Sequence, residues 1–404
     1  MKYLLISFIA FLLSLSFAES AVIIPFSSPE NSYQILSQYI SGLQKSAYIG
    51  VYTFTSFDMA DRLVEARKRG VEIKVIVDGN PAGDKVDSDI ACFLEKNNIP
   101  VYLHKRGARY MHAKYIVGDN NSVAVMSENF GSDGFVGNRG WGAIVEDSLV
   151  PRNILNIFLE DIKNSDLFKC GETVSERTPS RMPEIIETKK YIEPEPTLII
   201  APDAVDDLVG IVDSANKSLY IEQFYIYKNW KSKPNKFLEA AIERARKGVD
   251  VKILMDSNDY NTEEGSPNSN YNTAKYIKNI SGTESIPLDV KLANLKAMKV
   301  SKIHNKGLIV DNTTVLISSI NWNENSPRNN RELGIAITGD SAYYYLREFL
   351  ADWNSGYEEK EFQVISGKVI KRDYTQQLVT TFAFIFSAAL CMILVKKRFY
   401  SSRA

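Results

Sequence analysis

Apolar positions recur in two alternating patterns along this chain. Tyr33, Ile35, Leu36, Tyr39, Ile40 and Leu43 fall at helical spacing within Asn31 to Ser46. Tyr48 to Phe54 follows as a β-branched and aromatic run that predicts a strand. Met59 to Arg69 is a second helical stretch ended by Gly70. Val71 to Val77 is a strand that runs into the turn residues Asp78-Gly79-Asn80-Pro81. Ile90 to Asn97 predicts a helix and Val101 to Leu103 a short strand. His112 to Val117 and Ser122 to Met126 predict a hairpin turning at Gly118-Asp119-Asn120-Asn121.

The order then repeats. Ala204 to Ala215 and Phe237 to Lys247 predict helices, and Leu219 to Ile226 and Val249 to Met255 predict strands. Arg69-Gly70-Val71-Glu72-Ile73-Lys74 is matched by Lys247-Gly248-Val249-Asp250-Val251-Lys252. Helices alternating with strands predict an α/β fold with a mixed or largely parallel sheet in each half. The polar stretch Ser257 to Thr273 is extra in the second half, and it predicts a longer loop near any shared site.

The ends read differently from the middle. Residues 1–21 have the basic start, apolar run and small residues of a secretory signal, with cleavage after Ala18 first and Ala21 second. Leu378 to Val395 is uncharged and is followed by Lys396-Lys397-Arg398, which predicts one transmembrane helix with a cytoplasmic tail at 396–404. The expected organisation is a first half over 22–170, an exposed linker over 171–196, a second half over 197–356 and a stalk over 357–377. This arrangement implies a single-pass cell-membrane protein with both halves outside the cell. There Cys92 and Cys170 form a disulfide or stay as two free thiols; the sequence leaves both open. The three cysteines lack metal-ligand spacing, so neither a metal site nor a cofactor is expected.

The candidate chemistry is also duplicated. His112, Lys114, Asp119, Ser127 and Asn129 recur as His304, Lys306, Asp311, Ser319 and Asn321, all at one offset (304 − 112 = 192). The chain has only 3 histidines, and two of them open these copies. Each copy resembles the His-x-Lys-x4-Asp-x6-Gly-Ser-x-Asn signature of the phospholipase D superfamily. Met126 and Ser318 stand where that signature has glycine. Asn330-Arg331-Glu332-Leu333-Gly334 is similar to the family's downstream acidic element, whereas Asn138-Arg139-Gly140-Trp141-Gly142 has glycine at the acid's position.

The resemblance implies two α/β/α sandwich halves about a pseudo-dyad, with one active site between them and no oligomer needed to complete it. It also implies metal-independent phosphodiester cleavage through a phosphohistidine, with His112 as nucleophile and His304 as acid/base, an order that the symmetry leaves reversible. Lys114, Lys306, Asn129 and Asn321 would steady the phosphoryl oxygens, and Glu332 would orient one imidazole. Ser127 and Ser319 either contact the substrate phosphate or hold the site in place, and are candidate substrate-binding residues. Asp119 and Asp311 read as local turn residues and are left outside the site.

A net charge of −1 gives no overall pull toward nucleic acid. Phospholipid head groups are therefore the first substrate expectation, an extracellular nuclease the second, and an inactive surface binding protein the third. Hydrolysis and transfer to an alcohol are not separated. The loop Leu103 to Tyr110, with His104, Lys105, Arg106 and Arg109, is either a solvated loop or a rim for substrate phosphate. Tyr220, Phe224, Tyr225 and Tyr227 read as alternating core and surface positions.

Overall fold

The structure, a computed structural model, describes residues 20–82, 86–171 and 178–357. The expected transmembrane helix and cytoplasmic tail lie outside those residues. So do nearly all of the signal segment and the stalk. Among the described residues no helix is long and apolar enough to cross a membrane.

Each half is built on the same seven-strand path. In the first half the order is Val101–His104, Glu72–Asp78, Ser46–Val51, Tyr115–Gly118, Ser122–Met126, Asn138–Glu146, Ser20–Ser28. In the second it is Leu288–Leu292, Asp250–Met255, Ser218–Gln223, Lys306–Val310, Thr314–Ser318, Glu332–Thr338, Thr197–Ala201. The first three strands of each path run parallel and the rest pair antiparallel, so both sheets are mixed. The first sheet gains Ser165–Leu167 at one edge and Tyr191–Pro194 at the other.

Local signals explain the helices. Phe57–Lys68 starts at Ser56, whose hydroxyl accepts from Met59 N, and Lys236–Arg246 starts at Asn235, whose side chain accepts from Phe237 N. Their apolar faces pack on the outer side of each sheet. The inner faces share one core: Met111, Tyr115 and Trp141 of the first half lie with Ile309, Leu333 and Ile335 of the second, under the helices Val150–Lys163 and Ala342–Ser355. Burying each large apolar side chain there is worth about 1.5–3 kcal/mol. The described residues up to Gly356 accordingly form one compact unit.

Three boundaries differ from expectation. Ala21 is buried in the first strand and pairs with Glu193, so the first half begins at Ser20 rather than 22. The expected linker is docked, not free: Ile186 exchanges two hydrogen bonds with Gln38 (2.9 and 3.0 Å), and Tyr191–Pro194 is a strand of the first sheet. The expected loop Ser257 to Thr273 already contains the helical turn Asp259–Thr262 and the start of Asn270–Glu284. Cys92 and Cys170 are joined as a disulfide.

Candidate active site

The two motif copies meet where the halves face each other. Main-chain bonds cross the interface reciprocally. His112 N donates to Arg331 O and His304 N donates to Arg139 O, both at 2.8 Å. Two aspartates at strand ends set the approach: Asp78 Oδ2 accepts from Met111 N at 2.6 Å, and Asp256 Oδ1 accepts from Ile303 N at 2.7 Å. Strand pairing begins at Tyr115 in the first copy, so His112-Ala113-Lys114 form an irregular segment just before the strand rather than part of it.

Each imidazole has an aromatic ring and an acid around it. Tyr52 lies edge-on to His112 with centroids 4.7 Å apart, and Phe224 lies edge-on to His304 at 4.9 Å. Glu332 Oε2 accepts from His112 Nδ1 at 2.8 Å. The same carboxylate accepts from Ser319 Oγ at 2.6 Å, Asn330 Nδ2 at 2.9 Å and Ser326 Oγ. Burial works to raise the Glu332 pKa, but His112, Lys114 and the hydroxyl donors prevail and hold it below the usual carboxylate value. An ionised acceptor at Nδ1 makes that nitrogen a donor and leaves the His112 lone pair on Nε2.

Sequence reasoning missed the acid beside His304. Glu128, between Ser127 and Asn129, is 2% exposed and lies 3.4 Å from His304 Nδ1 through its Oε1. Burial pushes its carboxyl up to about 7 despite Lys306, Lys302 and Lys114. Burial and the same lysines push His304 well below the ordinary histidine value, and burial lowers His112 as well.

The lysines are not free in the cleft. Lys114 Nζ donates to His112 O and Lys306 Nζ to His304 O, and both side chains are fully buried. Their ammonium groups sit 5.4 and 5.2 Å over the Tyr52 and Phe224 rings. Burial lowers Lys114 to about 8 and holds Lys306 well below the ordinary lysine value. Asn129 Oδ1 and Asn321 Oδ1 are buried without hydrogen-bond partners among the described residues.

Ser127 and Ser319, expected as substrate contacts, are fully buried. Their hydroxyls accept from Trp141 N (3.1 Å) and Leu333 N (3.0 Å), pinning neighbouring strands. Asp119 and Asp311 serve no local turn. Each accepts from three successive main-chain N–H groups far away in sequence, Gln44 to Ser46 and Asn216 to Ser218.

A cleft of about 770 Å³ opens on His112 and Asn321. Its wall carries Tyr52, Tyr110, Tyr225, Tyr227 and Trp230 together with seven asparagines and Arg109, Lys231 and Arg328. Tyr225 and Tyr227, expected among alternating core and surface positions, stack on each other at 5.1 Å and line it. Of the basic loop, Arg109 and Tyr110 reach the cleft. Lys105 and Arg106 pair with Asp166, and His104 is buried.

The family described as cardiolipin synthase, PLD-like domain, matches residues 36–162 and 208–353, more than half of the chain. A curated relative, DISARM protein DrmC of Bacillus paralicheniformis, is 29% identical over 137 residues, covering 32% of this chain and 56% of its own. The chain thus spans about half the length of that relative. Among solved structures, phosphatidylserine synthase of Haemophilus influenzae aligns over 91% of this chain and 94% of its own, with a TM-score of 0.63 at 15% identity. Nuc from Salmonella typhimurium covers 37% of this chain and 99% of its own at 22% identity, with a TM-score of 0.35.

Proposed function

The chain belongs to the phospholipase D superfamily, whose members are phosphodiesterases or phosphotransferases, and from that premise we propose a two-histidine phosphodiesterase. The observation that carries this reading is the His112–Glu332 pair, because it leaves Nε2 of His112 as the lone-pair nitrogen of a histidine on the cleft. In the first step Nε2 bonds to phosphorus, the bond to the leaving oxygen breaks, and His304 gives that oxygen a proton. In the second step His304 takes a proton from water, the water oxygen bonds to phosphorus, and the phosphorus–nitrogen bond breaks. Lys114 and Lys306 supply positive charge and Asn129 and Asn321 neutral donors, so the scheme calls for no metal.

The cleft wall supports an unpaired nucleic-acid strand as substrate. Aromatic faces take bases by stacking, at about 1–3 kcal/mol each, and amides and arginines bond base edges and phosphates. Among the described residues, no aliphatic side chain larger than Ala82 lines the cleft to receive an acyl chain. The second reading is phospholipid cleavage. It rests on the apolar run 378–395 and its basic flank, which would tether the halves outside the cell at a membrane surface.

The test is the full-length protein in detergent and EDTA with single-stranded DNA, RNA, duplex DNA and phospholipid vesicles. Single strands are expected to be cut, and both His112→Ala and His304→Ala to be inactive. Cleavage of vesicles alone would replace the first substrate with the second. Activity surviving both substitutions would end the two-histidine reading.

A further inference from the structure

Gly140 stands at the position of Glu332, one repeat earlier in the chain, so the first half has no acid where the second has one. The surroundings of that position are nonetheless the same in both halves. Ser127 accepts from Trp141 N as Ser319 accepts from Leu333 N. Asn138 Nδ2 donates to Glu128 Oε2 at 3.1 Å as Asn330 Nδ2 donates to Glu332 Oε1 at 2.9 Å. Equivalent asparagines therefore grip a carboxylate in both halves, although the two carboxylates come from different sequence positions.

Glycine at 140 is what admits this arrangement. A Cβ there would lie 2.6 Å from Glu128 Cγ and 2.7 Å from Ser127 Oγ, closer than such atoms approach. The Glu128 side chain occupies the volume that a side chain at 140 would take. Asn138 satisfies only Oε2 of this carboxyl group. Oε1 is buried, has no hydrogen-bond partner among the described residues, and lies 3.4 Å from His304 Nδ1, which has none among them either.

We propose that Glu128 is the relocated counterpart of Glu332, a positioning residue that holds the His304 imidazole across the interface and keeps a proton on that side of the site. This role rests on the two-histidine reading only for its effect on turnover. Burial raises the Glu128 carboxyl to about 7, so Glu128 holds a proton beside His304, which hands its own proton to the leaving oxygen.

The experiment uses Glu128→Gln, Glu128→Ala and Glu128→Ala/Gly140→Glu in the full chain, with imidazole NMR titration of the 3 histidines and kcat against pH. In Glu128→Gln the titration of His304 is expected to move to lower pH while His112 stays. The kcat is expected to fall about 10–100-fold with its alkaline limb moved the same way, and KM to stay within about twofold. The double variant is expected to recover at least about tenfold over Glu128→Ala. An unmoved His304 titration in Glu128→Gln would overturn the proposal, as would a natively folded double variant no more active than Glu128→Ala. The titration needs no turnover, so an inactive wild type would count against the phosphodiesterase reading and leave Glu128 to be judged separately.

Discussion

The two half-sites use the same parts with different tightness. His112 has a 2.8 Å hydrogen bond to an acid that four donors hold ionised. His304 faces its acid at 3.4 Å, and that acid is raised to about 7. The first arrangement fixes a tautomer and leaves a lone pair toward the cleft. The second stores a proton in a dry place between two groups that both resist carrying charge. A displacement with a poor leaving group needs one of each, and the difference arises because Glu332 stands at the position equivalent to Gly140 whereas Glu128 comes from just beyond the end of the neighbouring strand Ser122–Met126.

The largest predicted effects test which half does what. His304→Ala should cost about 10²–10⁴-fold in kcat on an alkyl phosphodiester. The loss should shrink sharply on a p-nitrophenyl diester, whose leaving group needs no proton, while His112→Ala stays inactive on both. Equal losses on both substrates would erase the distinction. Glu332→Gln should cost about 10²–10⁴-fold in kcat, because an amide no longer enforces the Nδ1–H tautomer. If Glu332→Gln were milder than Glu128→Gln, the tight and loose roles would be reversed.

A pH profile sharpens the comparison further. As pH rises through about 7, Glu128 loses its proton beside His304, so kcat/KM should fall on the alkaline side. Burial lowers His112, so its neutral form extends below the ordinary histidine range and the optimum should be mildly acidic. A profile still rising past pH 8 would contradict this.

The smallest effect lies outside the site. Asp119 and Asp311 have pKa values lowered mainly by main-chain donors that overcome partial burial, so their stabilisation is present above pH ~4 and fades as pH falls through the folded values. Asp119→Asn should lower stability in urea by about 1–2 kcal/mol at pH 7, less at pH 3, and leave kcat unchanged. A kinetic effect without a stability effect would place Asp119 in the site.

Much of this was legible in the sequence. The single offset joining His112 to His304 and Asn129 to Asn321 exposed the repeat, and one His per copy required the halves to meet. Periodicity located the outer helices because each has one apolar face. It did not reveal Glu128, since an acid next to a motif serine reads as surface, and its partner sits in the other half. Ser127 and Ser319 look like substrate contacts by composition, but strand pairing turns their hydroxyls to the neighbouring main chain. Tyr225 and Tyr227 follow the strand Ser218–Gln223, where alternation no longer assigns faces.

The most direct test of the asymmetry is to quench the enzyme during turnover and map the phosphorylated residue by mass spectrometry. The account predicts phosphate on His112, with His304→Ala trapping more of it on a p-nitrophenyl diester. Phosphate on His304 would contradict it and exchange the roles of the two halves.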